Sequence, residues 1–198
     1  MLHVVLDPCC GINVKNHRSP IWDNMTQLYE WKFNRKIVNK IKSCLKRKNI
    51  PVHILSETNN LVPLIDKIKK INNYVEKYGK YNVLVISIQL NKGKKSGWEC
   101  LYHKNNLLGK EYASIFSNSY KKSKIKFPNN GIRDYNMSIM RLSKCPSIVT
   151  NNLYIDNKKD CLFLLTKKGE DSIRDLHVNS IIESIDYYKK NIEIWENS

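Results

Sequence analysis

Residues 6–11 read LDPCCG, two adjacent cysteines where a tight turn would ordinarily carry glycine and a polar residue. Thiolates are nucleophiles and ligands for soft metals, so Cys9 and Cys10 are the first candidates for chemistry. Three apolar runs that read as strands end in Asp7-Pro8-Cys9-Cys10, Ser87-Ile88-Gln89 and Val149-Thr150-Asn151. In open α/β sheets, sites form beyond the carboxyl ends of such strands. Glu30 stands where the first helix begins, at the end of an apolar stripe, so its carboxylate points to the same sheet edge. A thiol and a carboxylate are competent metal donors; the Gln89 amide oxygen is a poor one, and the Asn151 amide cannot exchange a proton near neutral pH.

The elements that must position these residues alternate in type. Strands are expected over 3–8, 51–55, 82–89, 98–103 and 147–151. A helix over 25–48 buries Phe33, Ile37, Ile41 and Cys44, spaced four, four and three. A second over 62–78 carries Ile65, Ile68, Ile71, Val75 and Tyr78 on one face, and Gly79 stops it. Further helices are expected over 106–120 and 170–190, with an irregular loop over 121–135. The run NVLVISIQL is apolar almost throughout, as in a central strand covered on both sides. The expectation is one α/β domain over 1–190, then a tail over 191–198.

The 198 residues carry a net charge of +16, enough to invite a nucleic-acid partner. The lysines are scattered, however, and cluster only in NKGKKSG (91–97) and KKSKIK (121–126), both in loops. No apolar run is long enough to span a membrane, and the first residues read as a strand rather than an export signal. Synthesis in the cytoplasm is expected. The six cysteines lack paired CxxC spacing and read as free thiols. Of the histidines, His177 falls on an apolar stripe and reads as a core residue, His53 and His103 close or line strands, and His17 sits in a loop facing solvent.

The order of several motifs resembles the zinc-dependent N-acetylmuramoyl-L-alanine amidases of bacteriophages and gut bacteria. The carrying stretches are HRSP (17–20), LYEWKFNR (28–35), YNVLVISI (81–88), GWE (97–99), KCPSIVTNNLYIDNKKDCLFLL (144–165) and LHV (176–178). The resemblance implies the three-layer amidase fold, a twisted, mostly parallel sheet flanked by helices on both faces. It also implies that Cys10 occupies the place of one zinc-binding His, that Glu30 matches the second ligand, that Gln89 occupies the place of the other His, and that Asn151 replaces the catalytic Glu.

Three departures in four positions imply a lost zinc, no cofactor and no catalysis. The chain is therefore expected to be an inactive pseudoenzyme, a structural component of a phage virion, most plausibly its tail. It would be made in the host cytoplasm and held in multiple copies by other phage structural proteins, with packaged nucleic acid near its Lys-rich loops. Ile192, Ile194 and Trp195 of the tail are the candidate partner contacts. The alternatives are a peptidoglycan amidase with a remodelled metal site built on Cys9, Cys10, Glu30 and a displaced histidine, or a peptidoglycan-binding module.

Overall fold

The computed structural model describes residues 1–22 and 26–193. Its centre is a six-stranded sheet in the order β2-β1-β3-β6-β4-β5. The strands are β1 (His3–Pro8), β2 (Val52–Ile54), β3 (Val83–Asn91), β4 (Trp98–Tyr102), β5 (Asn129–Asp134) and β6 (Ser147–Tyr154). The first four strands of that order run parallel, whereas β4 pairs antiparallel to β6 and carries β5 parallel to itself. The helices are α1 (Glu30–Lys46), α2 (Leu64–Tyr78), α3 (Leu107–Lys122), α4 (Ser138–Leu142), α5 (Lys158–Leu164) and α6 (Lys167–Tyr188), followed by a π-helical turn over Lys189–Glu193.

Alternation along the strands divides the core into two layers. Leu84, Ile86 and Ile88 of β3 pack on one face with Ile37 and Ile41 of α1, Phe116 of α3 and Ile173 and Ile181 of α6. Val83 and Val85 of the same strand pack on the other face with Ile68 and Ile71 of α2 and Ile139 and Met140 of α4. Burial on both faces explains why β3 and β6 contain so few exposed residues. The expected three-layer α/β architecture is the observed one.

Local differences have local reasons. The expected first helix begins five residues late, and Met25 lies outside the described residues; Tyr29 is still extended and bridges Arg18, so the chain enters α1 only at Glu30. The expected loop 121–135 contains β5, which lies at the sheet edge where a short polar strand suffices. Ile65 is exposed, so the α2 stripe is narrower than its spacing implied. Ile192 is half-buried and packs against the main core, so it belongs to the fold rather than to a separate tail; Ile194 and Trp195 lie outside the described residues.

His177 is a core residue, as its place on the stripe implied. Its Nε2 lies 2.9 Å from Thr150 Oγ1 and its Nδ1 lies 2.8 Å from the Ile173 carbonyl, which links α6 to β6. Burial lowers its pKa from 6.5 to about 4. The folded chain thus holds a neutral ring, while the unfolded chain takes up a proton below its ordinary value. The stability linked to this ring is whole above about pH 6.5 and is lost as the pH falls towards about 4, a difference of roughly 3 kcal/mol. Denaturant midpoints measured across that range should fall more steeply for the wild type than for His177→Gln, whose amide cannot charge.

Candidate functional site

The site is built where β1 ends. Asp7 is buried, and its carboxylate accepts from Lys67 Nζ at 2.7 Å and from Ser87 Oγ at 2.8 Å, which ties β1 to α2 and β3. Beyond Pro8 the chain turns through Cys9, whose N–H donates to the Asp7 carbonyl at 3.0 Å. Cys10 then adopts φ 72°, a left-handed conformation that costs a non-glycine residue on the order of 1–2 kcal/mol. The surroundings hold it there. The Arg35 guanidinium of α1 donates to the Cys10 carbonyl at 2.9 Å and to the Thr58 and Asn60 carbonyls at 2.8 and 3.2 Å. One buried cation therefore clamps the cysteine loop to the segment that follows β2.

The loop after Cys10 returns to α1. The Arg18–Tyr29 bridge and the bond from the Glu30 N–H to the His17 carbonyl, 3.0 Å, bring its two limbs together. This fold-back places the His17 ring over the start of α1. His17 Nδ1 lies 2.7 Å from Glu30 Oε2 and 2.9 Å from Cys10 Sγ. The three donor atoms all fall within 4.8 Å of one another, and Cys10 and Glu30 are buried while His17 opens to solvent. His17 was expected to face solvent; it does so on one side only, and its other side completes the cluster.

Glu30 is held in orientation by its other oxygen. Oε1 accepts from the Leu90 N–H at 2.9 Å, at the end of β3, and from Asn34 Nδ2 at 3.4 Å. That leaves Oε2 aimed at His17. The hydrogen bond that His17 donates to Glu30 raises the His17 pKa, against the opposing effect of partial burial. The Cys10 thiol is pushed well above its ordinary range, first by its hydrogen bond with Cys9 (Sγ–Sγ 3.9 Å), then by burial and the nearby Glu30 charge. A thiol, an imidazole and a carboxylate around one point are donors that a borderline divalent cation such as zinc takes, and a cation there would favour the thiolate that the isolated pocket resists. The donor set fits the metal that the resemblance implies.

The other predicted positions lie along the same sheet edge. Gln89 pairs with Asn151 in register, and its carbonyl accepts from Asn152 Nδ2 at 3.0 Å. Asn151 is buried and pairs in turn with Glu99 of β4, to which its Nδ2 donates at 2.8 Å. The structure thus gathers Cys10 and Glu30 with His17, and aligns Gln89 with Asn151 and Glu99. Sequence reading missed two of these residues. His17 carried a usable signal, because its loop starts at one ligand candidate and ends at another; Glu99 stood in the GWE stretch (97–99), but nothing in that stretch indicates the strand register that brings it beside Asn151.

Beside His17 a cleft of about 620 Å³ is bordered by Lys15, Arg18, Tyr29, Trp31 and Lys32. Its walls combine cationic groups with aromatic rings. No helix among the described residues is long and apolar enough to cross a membrane.

Comparison with known proteins gives the arrangement a context. The profile of the N-acetylmuramoyl-L-alanine amidase family matches residues 4–183. The endolysin of Bacillus phage SPP1 is 26% identical over 162 residues, 79% of this chain, and the chain spans 58% of that relative's length. The N-acetylmuramoyl-L-alanine amidase of Clostridium difficile 630 superposes with a TM-score of 0.78 at 22% identity, covering 93% of this chain and 97% of that one. The catalytic domain of CwlV, an N-acetylmuramoyl-L-alanine amidase of Bacillus (Paenibacillus) polymyxa var. colistinus, gives 0.78 at 19% identity, covering 94% and 99%. At these identities the solved structures share the fold.

The expectation of an inactive pseudoenzyme is corrected by the family match, because the matching family is one of enzymes. The physical reason is that His17, brought in by the returning loop, joins Cys10 and Glu30 as a third donor. Cys10 stands with an imidazole and a carboxylate, not as an isolated remnant.

Gly11 tests the placement of the cysteine loop. A Cβ at this position would lie 1.9 Å from the Leu61 backbone nitrogen, so a side chain requires the loop and the 59–61 segment to separate. Gly11→Ala should lower unfolding stability by about 1–3 kcal/mol or more and raise the reactivity of Cys10 towards a thiol reagent, measured by denaturation and by timed labelling.

Proposed function

Because the chain belongs to the N-acetylmuramoyl-L-alanine amidase family, we propose that it is a peptidoglycan amidase whose metal is held by Cys10, His17 and Glu30. Its substrate is the amide between the lactyl group of muramic acid and L-alanine. The observation that carries this reading is the convergence of Cys10 Sγ, His17 Nδ1 and Glu30 Oε2 at the carboxyl end of the parallel strands. When bound, a divalent metal supplies Lewis acidity that polarises the scissile carbonyl and makes water a usable nucleophile near neutral pH.

The protein's own groups account for the rest. Arg35 holds the strained Cys10 backbone so that its thiol faces the imidazole. The Leu90 N–H and Asn34 orient Glu30, the outer contacts that metal-binding carboxylates need. His17 forms the solvent-facing wall and borders the cleft, so donor set and substrate surface are continuous. Lys15, Arg18 and Lys32 suit the carboxylates of a cell-wall peptide, and the rings of Tyr29 and Trp31 suit the apolar faces of a sugar.

The expected loss of the metal gives way to this reading because a third donor comes from the loop rather than from β3. The role as an inert tail component rested on absent catalysis, and that premise is gone. The Lys-rich loops enter no part of the proposed chemistry.

The protein purified without chelators should hold about one divalent metal per chain by elemental analysis, as a three-donor site predicts. Cys10→Ser and His17→Ala should each weaken retention at least about tenfold in chelator competition. Incubated with cell walls, the metal-loaded wild type should release new L-alanine amino termini, detected by amine labelling. Metal bound equally well by His17→Ala, or cell walls left intact by the metal-loaded wild type, would overturn the proposal.

A further inference from the structure

We propose that Glu99 of β4 is the proton-transferring carboxylate of this site, the role that the Asn151 amide cannot perform. The inference rests on the amidase reading and names the group that serves it.

The antiparallel register of β4 with β6 sets Glu99 directly opposite Asn151, where side chains share one face of the sheet. Asn151 Nδ2 donates to Glu99 Oε1 at 2.8 Å, and Asn91 Nδ2 donates to the same oxygen at 2.9 Å. Asn91 follows Leu90, whose N–H holds Glu30. The two carboxylates are therefore anchored to consecutive residues at the end of β3, Glu30 to the Leu90 N–H and Glu99 to the Asn91 side chain.

The occupancy of the two Glu99 oxygens differs. Oε1 takes both amide donors and a long contact from Arg133, whereas among the described residues Oε2 has only Arg133 contacts at 3.4 Å. Arg133 is itself about half exposed, so that contact is readily given up to water or substrate. Glu99 is 8% exposed overall, a carboxylate held in place by two amides with one oxygen in reserve. A glutamate at position 151 would set two carboxylates in direct contact and oppose the charge on both. Asparagine there instead donates to Glu99 and fixes it.

The step balances with water alone. As the water oxygen bonds to the amide carbonyl carbon, one of its protons passes to Glu99 Oε2. The same proton passes to the amide nitrogen as the carbon–nitrogen bond breaks. A carboxyl group remains on the lactyl side and a free amine on L-alanine, with Glu99 returned to its starting state.

Glu99→Gln keeps the shape and both amide contacts but removes the proton carrier. It should lower kcat by about 10²–10⁴ on muramoyl-peptide amides while metal content and thermal midpoint stay at wild-type values. The double variant Glu99→Gln/Asn151→Glu, which returns a carboxylate across the strand pair, should recover at least about tenfold of that loss. If Glu99→Gln does not fold, Glu99→Asp serves in its place, with metal kept and kcat down by about tenfold or more. A wild type that cleaves while the folded, metal-loaded Gln or Asp variant cleaves within about threefold overturns this inference alone. A wild type that cleaves no muramoyl peptide with any divalent metal overturns the amidase reading, and this inference with it.

Discussion

Glu30 has one oxygen on the backbone N–H of Leu90 and the other on the His17 ring, and those two bonds meet at the first residue of α1. A buried carboxylate leaves water at a cost that only close partners offset. Its position is therefore dictated by where a free strand N–H and a cationic or donor ring can both be reached. That requirement fixes how far α1 advances over β3, and it draws His17 back over the start of α1. The packing of Phe33, Ile37 and Ile41 beneath it then keeps the helix at that height.

Around this contact, several connections at the sheet edge are tied down by a charged or polar group. The Asp7–Lys67 pair, nearly inaccessible to solvent, closes β1 against α2, with Ser87 satisfying the second oxygen. Arg35 holds the cysteine loop to the 58–60 segment through carbonyl oxygens alone, so its charge faces dipoles rather than an opposing ion. Asp160 performs the same task at the far side, accepting from Ser96, from the Gly97 N–H and from the Tyr154 N–H. These contacts are local, but together they hold the strand ends rigid enough to support a left-handed Cys10 and a left-handed Leu153.

Donor types at the site differ from those the family resemblance led one to expect, yet the chemistry they offer remains coherent. A thiol from the end of β1 and an imidazole from the adjoining loop meet the same carboxylate. The polar row Gln89, Asn151 and Glu99 crosses three neighbouring strands in register. Residues from a neighbouring strand or a returning loop thus come to lie beside the positions where the resemblance implies losses.

The alternation of apolar runs and the stripes on α1 and α2 were enough to predict an α/β domain with a covered central strand, because burial on both faces leaves the residues themselves little freedom; the three-layer arrangement followed from the family resemblance. The strand ends, and hence the placing of Cys10, Glu30, Gln89 and Asn151 near one edge, followed from the same pattern. Strand β5 did not, since an edge strand such as NNGIRD is polar and is stabilised by its partner rather than by its own side chains. His17 and Glu99 stood in the short stretches HRSP and GWE, but neither stretch shows where its residue ends up. One reaches the site because a loop folds back on an antiparallel bridge, the other because β4 runs opposite to β6 in one particular register. Which residues can be buried is written in their hydrophobicity; which polar groups then meet depends on backbone pairing between segments far apart in the chain, and only the folded sheet decides that.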